Sequence, residues 1–235
     1  MQQQLLNYQF MVKSFWKILS ALPVTLNIAI VTMFFSLILS FFIAVVRINK
    51  VKILSKLAII YVSFIRGTPL LVQIYLSYYG IPKFLNHMNV KFGWSLNVNN
   101  VPVIMFVYVA FILNMSAYMS ETFRAAILSV EKGQMEAAIS IGMSKWQAMR
   151  RIILPQAFVT ALPNLGNSFI SLIKDTSLAF VVSIVELMGK AKIVGAAGLN
   201  FFEVYIVVAL IYWIVCIVME GLLMSLEKMV RIGGQ

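Results

Sequence analysis

One cysteine, one histidine and eight acidic residues are all that 235 residues offer of the side chains that most often hold metals or run acid–base chemistry. Cys216 has no second thiol in the chain to oxidise with and no second ligand for zinc, and it falls inside an apolar run, where packing or lipid contact accounts for it. His87 stands in a polar loop with no histidine or cysteine cluster around it, so no enzyme site is legible. No G-x-x-x-x-G-K-[ST] occurs, which leaves the chain without a phosphate cradle of its own. Charge is scarce too. Only 11% of the residues are charged and 61% are hydrophobic, far from the composition of a soluble domain.

That composition describes an all-α polytopic membrane protein. Apolar runs cover roughly residues 22–46, 57–79, 101–126, 156–185 and 203–226. Each exceeds the ~20 helical residues that cross ~30 Å of hydrocarbon, so about five transmembrane helices are expected. Residues 1–5 carry no basic start and no small-residue cleavage site follows a short apolar core, so the first span is expected to stay.

A net charge of +11 does not point to nucleic acid, because the basic residues sit in short loops beside apolar spans rather than in one stripe. Arg47, Lys50, Lys52 and Lys56 lie between the first two spans, Arg124, Lys132, Lys145, Arg150 and Arg151 between the third and fourth, and Lys228 and Arg231 after the fifth. Lys13, Lys17, Lys83, Lys91, Lys190 and Lys192 fall opposite. The excess predicts an external N-terminus and a cytoplasmic C-terminus in a cell membrane. Residues 9–20 read as an amphipathic helix lying on the surface, with Phe10, Met11, Phe15, Ile18 and Leu19 in lipid. The expected organisation is an external segment over 1–20, a transmembrane domain over 21–226 with a cytoplasmic loop at about 129–155, and a cytoplasmic tail over 227–235.

Inside the spans, the residues that cost most to bury are the informative ones. Arg66 lies ten residues beyond Lys56, ~15 Å deep at a rise of about 1.5 Å per residue, near the bilayer middle. Gly67, Thr68 and Pro69 follow it, a glycine to end one half-helix, a threonine to cap the next and a proline for its first position. Such a break offers free amides at Leu70 and Leu71 beside a guanidinium, either as a carboxylate site or as a kink in which Arg66 pairs a neighbouring acid. Asn114, Tyr118 and Glu121 form a polar stripe on the third span. Asn164, Asn167, Ser168 and Ser171, ending in Lys174-Asp175, form another on the fourth. The stripes define either a hydrated path or interhelical hydrogen bonds. For Glu121, Lys174 and Asp175 the choice is between substrate contact and an internal salt bridge. Tyr79-Gly80-Ile81-Pro82 reads as a turn into an Asn-rich external loop over 83–100, a connector or a contact for a delivery protein.

A polar interruption lies between spans three and four. Glu136, Ala137 and Ala138 are followed after three residues by Gly142, and after nine more by Ile152-Ile153-Leu154-Pro155. The predicted structure is a helix from Glu136 to Ile141 broken at Gly142, then a second short helix capped by Ser144 and stopped by Pro155. Met143, Trp146, Met149 and Ile153 make an apolar ridge flanked by Lys145, Arg150 and Arg151. Such a ridge suits a partner's groove or the headgroup layer.

The spacing of this segment resembles the EAA signature of the membrane subunits of ATP-binding-cassette importers, at every position. Phe64-Ile65-Arg66-Gly67-Thr68-Pro69, Glu121-Thr122-Phe123-Arg124-Ala125-Ala126-Ile127, Lys132-Gly133-Gln134 and Lys174-Asp175-Thr176-Ser177-Leu178 look like the polar amino acid permeases of the His, Gln, Arg and cystine uptake group, over residues 22–226. The last stretch, extended through Ala179-Phe180, is similar to Gram-positive L-cystine permeases. The resemblance implies a type I importer (MetI-like) transmembrane domain in which Glu136, Ala137, Ala138, Gly142, Met143, Trp146, Ile152, Leu154 and Pro155 dock an ATPase. It also implies two cytoplasmic ATPase subunits that hold ATP and Mg, an external binding protein, and a second permease subunit, copy or relative. This chain would bind no cofactor. The rival is a gradient-driven secondary transporter; such folds often carry inverted repeats, and no second Arg-Gly-Thr-Pro-like break stands at a matching position.

Overall fold

The computed structural model describes residues 6–95 and 97–232; the outermost parts of the two expected terminal segments, 1–5 and 233–235, lie outside the described residues. Helices follow one another through the chain: α1 (Tyr8–Leu19), α2 (Leu22–Ile48), α3 (Lys52–Arg66), α4 (Leu70–Tyr75), α5 (Ile81–Phe92), α6 (Val103–Ser129), α7 (Lys132–Ser140), α8 (Lys145–Ala148), α9 (Leu154–Asp175), α10 (Leu187–Gly198) and α11 (Phe201–Ile232). Four helical stretches are long and apolar enough to cross a membrane: Leu22–Ile48, Val103–Ser129, Lys145–Val182 and Phe201–Val230. Lys52–Arg66 and Leu70–Phe92, bent by 110° at their junction, make a fifth crossing when taken as one broken span.

The central pair is α2 and α6, and α6 packs in turn on α3, α4 and α9. Hydrophobicity cannot hold helices together in lipid, so close backbone approach and hydroxyl bonds must. On α2 the residues Thr25, Ala29, Thr32, Ser36, Ser40 and Ala44 recur every three or four positions, and every one is fully buried. Ser36 donates to the Ile112 carbonyl of α6 at 3.3 Å, and Ser77 donates to that of Phe106 at 2.7 Å. The opposite face of α2 exposes Phe34, Phe35, Ile38 and Phe42, which suits hydrocarbon.

Three expectations are corrected by the packing. The apolar face of α1 does not lie in lipid: Ile18 is fully buried, and Phe10, Met11, Phe15 and Leu19 pack into the main core, where α10 and α11 cover them. Gly198 makes this possible, since a Cβ there would run into the Phe10 ring. Residues 79–82 are no turn either. A π-turn over Leu76–Gly80 runs directly into α5, because its wider spacing absorbs the missing N–H and the ring of Pro82.

The stretch between the last two spans is likewise a packed helix rather than a loop. Glu186 is fully buried at its start and accepts hydrogen bonds from the Met188 and Gly189 amides, at 2.9 and 2.7 Å, and from the Tyr212 hydroxyl at 2.8 Å. Burial pushes its carboxyl above the ordinary carboxylate range, against the pull of those three donors.

Ala29→Leu overfills the contact made by the buried small-residue face of α2 and is expected to cost about 1–3 kcal/mol. The midpoint of thermal unfolding in detergent should fall, while Phe34→Leu on the lipid-facing side leaves it in place. Equal midpoints for both variants would show that the contact is not close-packed.

Candidate functional site

The broken span begins with a local conflict. Gly67 closes α3 with its amide on the Ser63 carbonyl, 3.0 Å away, and a Cβ at Gly67 would stand only 3.0 Å from that same oxygen. Thr68 precedes a proline, which disfavours helical geometry, and the chain turns away. Pro69, rather than Thr68, is the N-cap of α4. The Thr68 hydroxyl instead reaches back to the Phe64 carbonyl at 3.0 Å, tying down the end of α3.

Gln73 pins the junction. Its side chain, 6% exposed, donates to the carbonyls of Ile65 and Thr68 and to the Thr68 hydroxyl at 2.8, 3.1 and 2.9 Å. Its oxygen accepts from Asn114 Nδ2 at 3.0 Å. Sequence reasoning missed this residue. The available signal was an amide inside an apolar stretch, where every polar group must find a partner.

Beside the break, between α6 and α9, lies a cavity of about 570 Å³, within the range of small-molecule sites. Thr68 and Pro69 of the break, Asn114 and Tyr118 of α6, and Asn164, Asn167, Ser171 and Asp175 of α9 all line it. With Ser168 of the α9 stripe, nine of the side chains singled out from the two stripes and the break therefore share one wall system. Thr122 adds a hydroxyl, and Met115 and Leu178 add apolar surface.

The remaining candidates go elsewhere. Arg66, Gly67 and Glu121 line an adjoining cleft with Arg47, and Tyr118 is the wall common to both. The Arg66 guanidinium lies 5.4 Å from the centre of the Tyr118 ring and has no acid within ion-pair distance among the described residues. Glu121 is held by two arginines, Arg47 of α2 and Arg124 at 2.9 Å, so the alternative of an internal lock describes it. Lys174 and Asp175 point ~100° apart as neighbours on a helix: Asp175 faces the cavity, whereas Lys174 lines neither cleft and lies within electrostatic reach of both Asp175 and Cys216 of α11. No salt bridge joins the two.

The polar interruption keeps its bend but not its stop. Glu136 falls in the middle of α7, which begins at Lys132 instead of at Glu136. Gly142 adopts φ +89°, in the left-handed region, while the Met143 amide reaches back to the Ala138 carbonyl at 3.1 Å. Ser144 caps α8 in a capping box with Gln147. Pro155 does not end the helix: a π-turn over Met149–Ile153 carries α8 straight into α9, with Pro155 in its first turn.

The predicted apolar ridge splits. Ile153 is buried and Met149, Ile152 and Leu154 pack on the protein's own core. Ala138 is buried too, whereas Glu136 and Ala137 stay exposed. What faces outward is Trp146 at 68% exposure and Ile141 at 79%, with Ile139, half-buried Met143 and open space above Gly142.

A double-mutant cycle separates a structural Glu121 from one that meets cargo. Glu121→Gln and Arg47→Met are expected to couple by about 1 kcal/mol in unfolding free energy, the discounted value for a partly exposed pair. Strictly additive losses would count against the lock.

Comparison with known proteins agrees with this geometry. The profile of the family described as binding-protein-dependent transport system inner membrane component matches residues 36–232, a range that includes the cavity and the whole bent segment. The probable amino-acid permease protein YxeN of Bacillus subtilis (strain 168) is 40% identical over 91% of this chain and 91% of its own length. The L-cystine transport system permease protein TcyB of the same organism is 44% identical over 88% of this chain and 84% of its own. A crystal structure of an amino acid ABC transporter with histidines aligns with a TM-score of 0.82 at 34% identity, covering 96% of this chain and 99% of that one. With its broken span, polar cavity and bent interhelical segment, the chain belongs to the inner membrane components of binding-protein-dependent transport systems, among the amino-acid ABC permeases.

Proposed function

We propose that this chain is the permease subunit of an ATP-binding-cassette importer that carries a polar L-amino acid across the cytoplasmic membrane, with L-cystine the first substrate to test. ATP hydrolysis in partner subunits, which hold the nucleotide and Mg, drives it. An external binding protein delivers the amino acid, and a second permease subunit, copy or relative, completes the membrane part. The similarity to TcyB supports cystine. The excess of basic residues at one end of the bundle supports an outward N-terminus and a cytoplasmic C-terminus.

One observation carries the reading. Lys145–Val182 is a single helical stretch with Trp146 at one end and the cavity residues Asn164, Asn167, Ser171 and Asp175 towards the other. From Trp146 to Asp175 it spans roughly 40 Å at about 1.5 Å per residue. A motor subunit gripping Ile141, Gly142 and Trp146 would therefore move the wall of the cavity through one continuous helical stretch, in which Pro163 lies just before the cavity residues. ATP-driven closure of the motor tilts this lever, and the cavity changes the side to which it opens.

In the cavity, Asp175 supplies an acceptor for the substrate ammonium, and the side-chain amides of Asn164 and Asn167 supply donors for its carboxylate. Arg66, behind Tyr118, adds a positive field to the same region. No charged partner answers it among the described residues, so its charge is available to a substrate carboxylate.

Uptake of radiolabelled L-cystine by the complex reconstituted with its ATPase and binding protein tests the proposal. Asp175→Asn is expected to raise KM about tenfold, the size of one lost hydrogen bond to a charged group. Arg66→Ala is expected to weaken transport by a smaller factor. Gly142→Trp should leave ATP hydrolysis running while uptake falls, because it fills the space needed for docking and strains a left-handed position. Uptake that persists with the ATPase removed would establish the gradient-driven rival instead.

A further inference from the structure

We infer that Gln73 is a positioning residue that fixes which end of the Asn114 amide faces the cavity, and so commits that wall to the ammonium group of the transported amino acid. The inference rests on the reading of the cavity as the passage for a polar amino acid.

The argument starts from atoms that cannot rotate. The carbonyls of Ile65 and Thr68 belong to the backbone of the break, and both lie within hydrogen-bond distance of Gln73 Nε2, at 2.8 and 3.1 Å. A carbonyl only accepts, so it is the NH₂ of Gln73 that must face them. The third neighbour agrees: the Thr68 hydroxyl gives its proton to the Phe64 carbonyl and turns a lone pair towards Gln73, 2.9 Å away. Gln73 Oε1 is thereby directed at Asn114. An amide oxygen also only accepts, which turns the NH₂ of Asn114 towards Gln73, 3.0 Å away.

One group of Asn114 is then left. Its Oδ1 has no partner among the described residues, and Asn114 lines the cavity. Amide ends are hard to tell apart by shape, but here the backbone carbonyls decide both of them. Turning Gln73 over would set its oxygen against two carbonyls in a buried site and take from both the donor they now have. Asp175, on the α9 side of the same cavity, is a second acceptor with no hydrogen bond or ion pair among the described residues. Two unanswered acceptors in one cavity call for a cationic donor, and an α-ammonium brings three N–H groups.

The test is a rescue. Uptake is measured on the complete complex in proteoliposomes with radiolabelled L-cystine, L-arginine, L-glutamine and L-histidine, and KM is taken for whichever the wild type carries. Gln73→Met releases the Asn114 amide and should raise KM about tenfold, as for one hydrogen bond lost to a charged group. Adding Asn114→Asp should bring KM back to within about threefold of the wild type, because a carboxylate presents an oxygen in either rotation. Asn114→Asp alone should raise KM, since its second oxygen opposes Gln73 Oε1.

A residue that only pins the break gives a double variant no better than Gln73→Met, and that result overturns the inference. If Gln73→Met does not assemble, Asn114→Asp alone decides, and an unchanged or lowered KM overturns it. Loss of uptake in Asp175→Asn with no effect of Gln73→Met keeps the cavity as the passage and removes the role of Gln73. Absence of wild-type uptake for all four amino acids removes both.

Discussion

In hydrocarbon, an unpaired backbone amide or carbonyl costs several kcal/mol, by order of magnitude, and no water is at hand to relieve it. The architecture follows from how the prolines meet that demand, Pro163 alone standing in a helix interior, that of α9. Pro23 sits in the first turn of α2, and Pro69 and Pro102 are N-caps of α4 and α6, where an amide would be unsatisfied in any case. Pro82 and Pro155 follow directly on π-turns, so the helix passes them without a break. At Gly67-Thr68-Pro69 no such turn forms and the span opens. The carbonyls exposed there need donors from elsewhere, and the Thr68 hydroxyl and the Gln73 amide supply them. The bend is a built junction rather than a loose hinge.

The same solution at Pro155 has a mechanical consequence. Had the proline ended the helix, the bent segment and the cavity would be separate bodies joined by a loop, and displacement at Trp146 would dissipate there. The π-turn keeps them in one helical stretch, with Pro163 inside it just before the cavity residues. Because Met149, Ile152, Ile153 and Leu154 pack on the core, the lever also has a fulcrum near its base. The short α7–α8 elbow, turned by Gly142, carries the exposed Ile141 and Trp146.

Much of this was legible in the residues. Arg66-Gly67-Thr68-Pro69 announced the break because glycine and proline act locally, and helical spacing put the asparagines of α6 and α9 on two polar stripes, which left open whether they line a path or make interhelical hydrogen bonds. What stayed hidden depends on distant partners. Gln73 answers carbonyls five and eight positions before it and an amide on another helix, a relation no local rule contains. The apolar stripe of α1 showed that a face is covered, but not that α10 and α11 rather than lipid cover it. Pro155 looked like a stop because a π-turn leaves no reliable mark in composition. Glu186 gave no periodic signal, since a single buried cap belongs to no stripe.

The charged residues sort themselves by the cost of leaving water. Glu121 is partly buried and answered twice, so its charge is already neutralised and little of its field remains for a ligand. Asp175 and Arg66 are answered by no ion pair, on the two sides of the Tyr118 wall. Under the proposed function the partner of each is a group that comes and goes; Arg66 is exposed and Asp175 partly buried. A zwitterion with one end for each of these groups meets that condition, and it does so without leaving a permanent ion pair to block the way out.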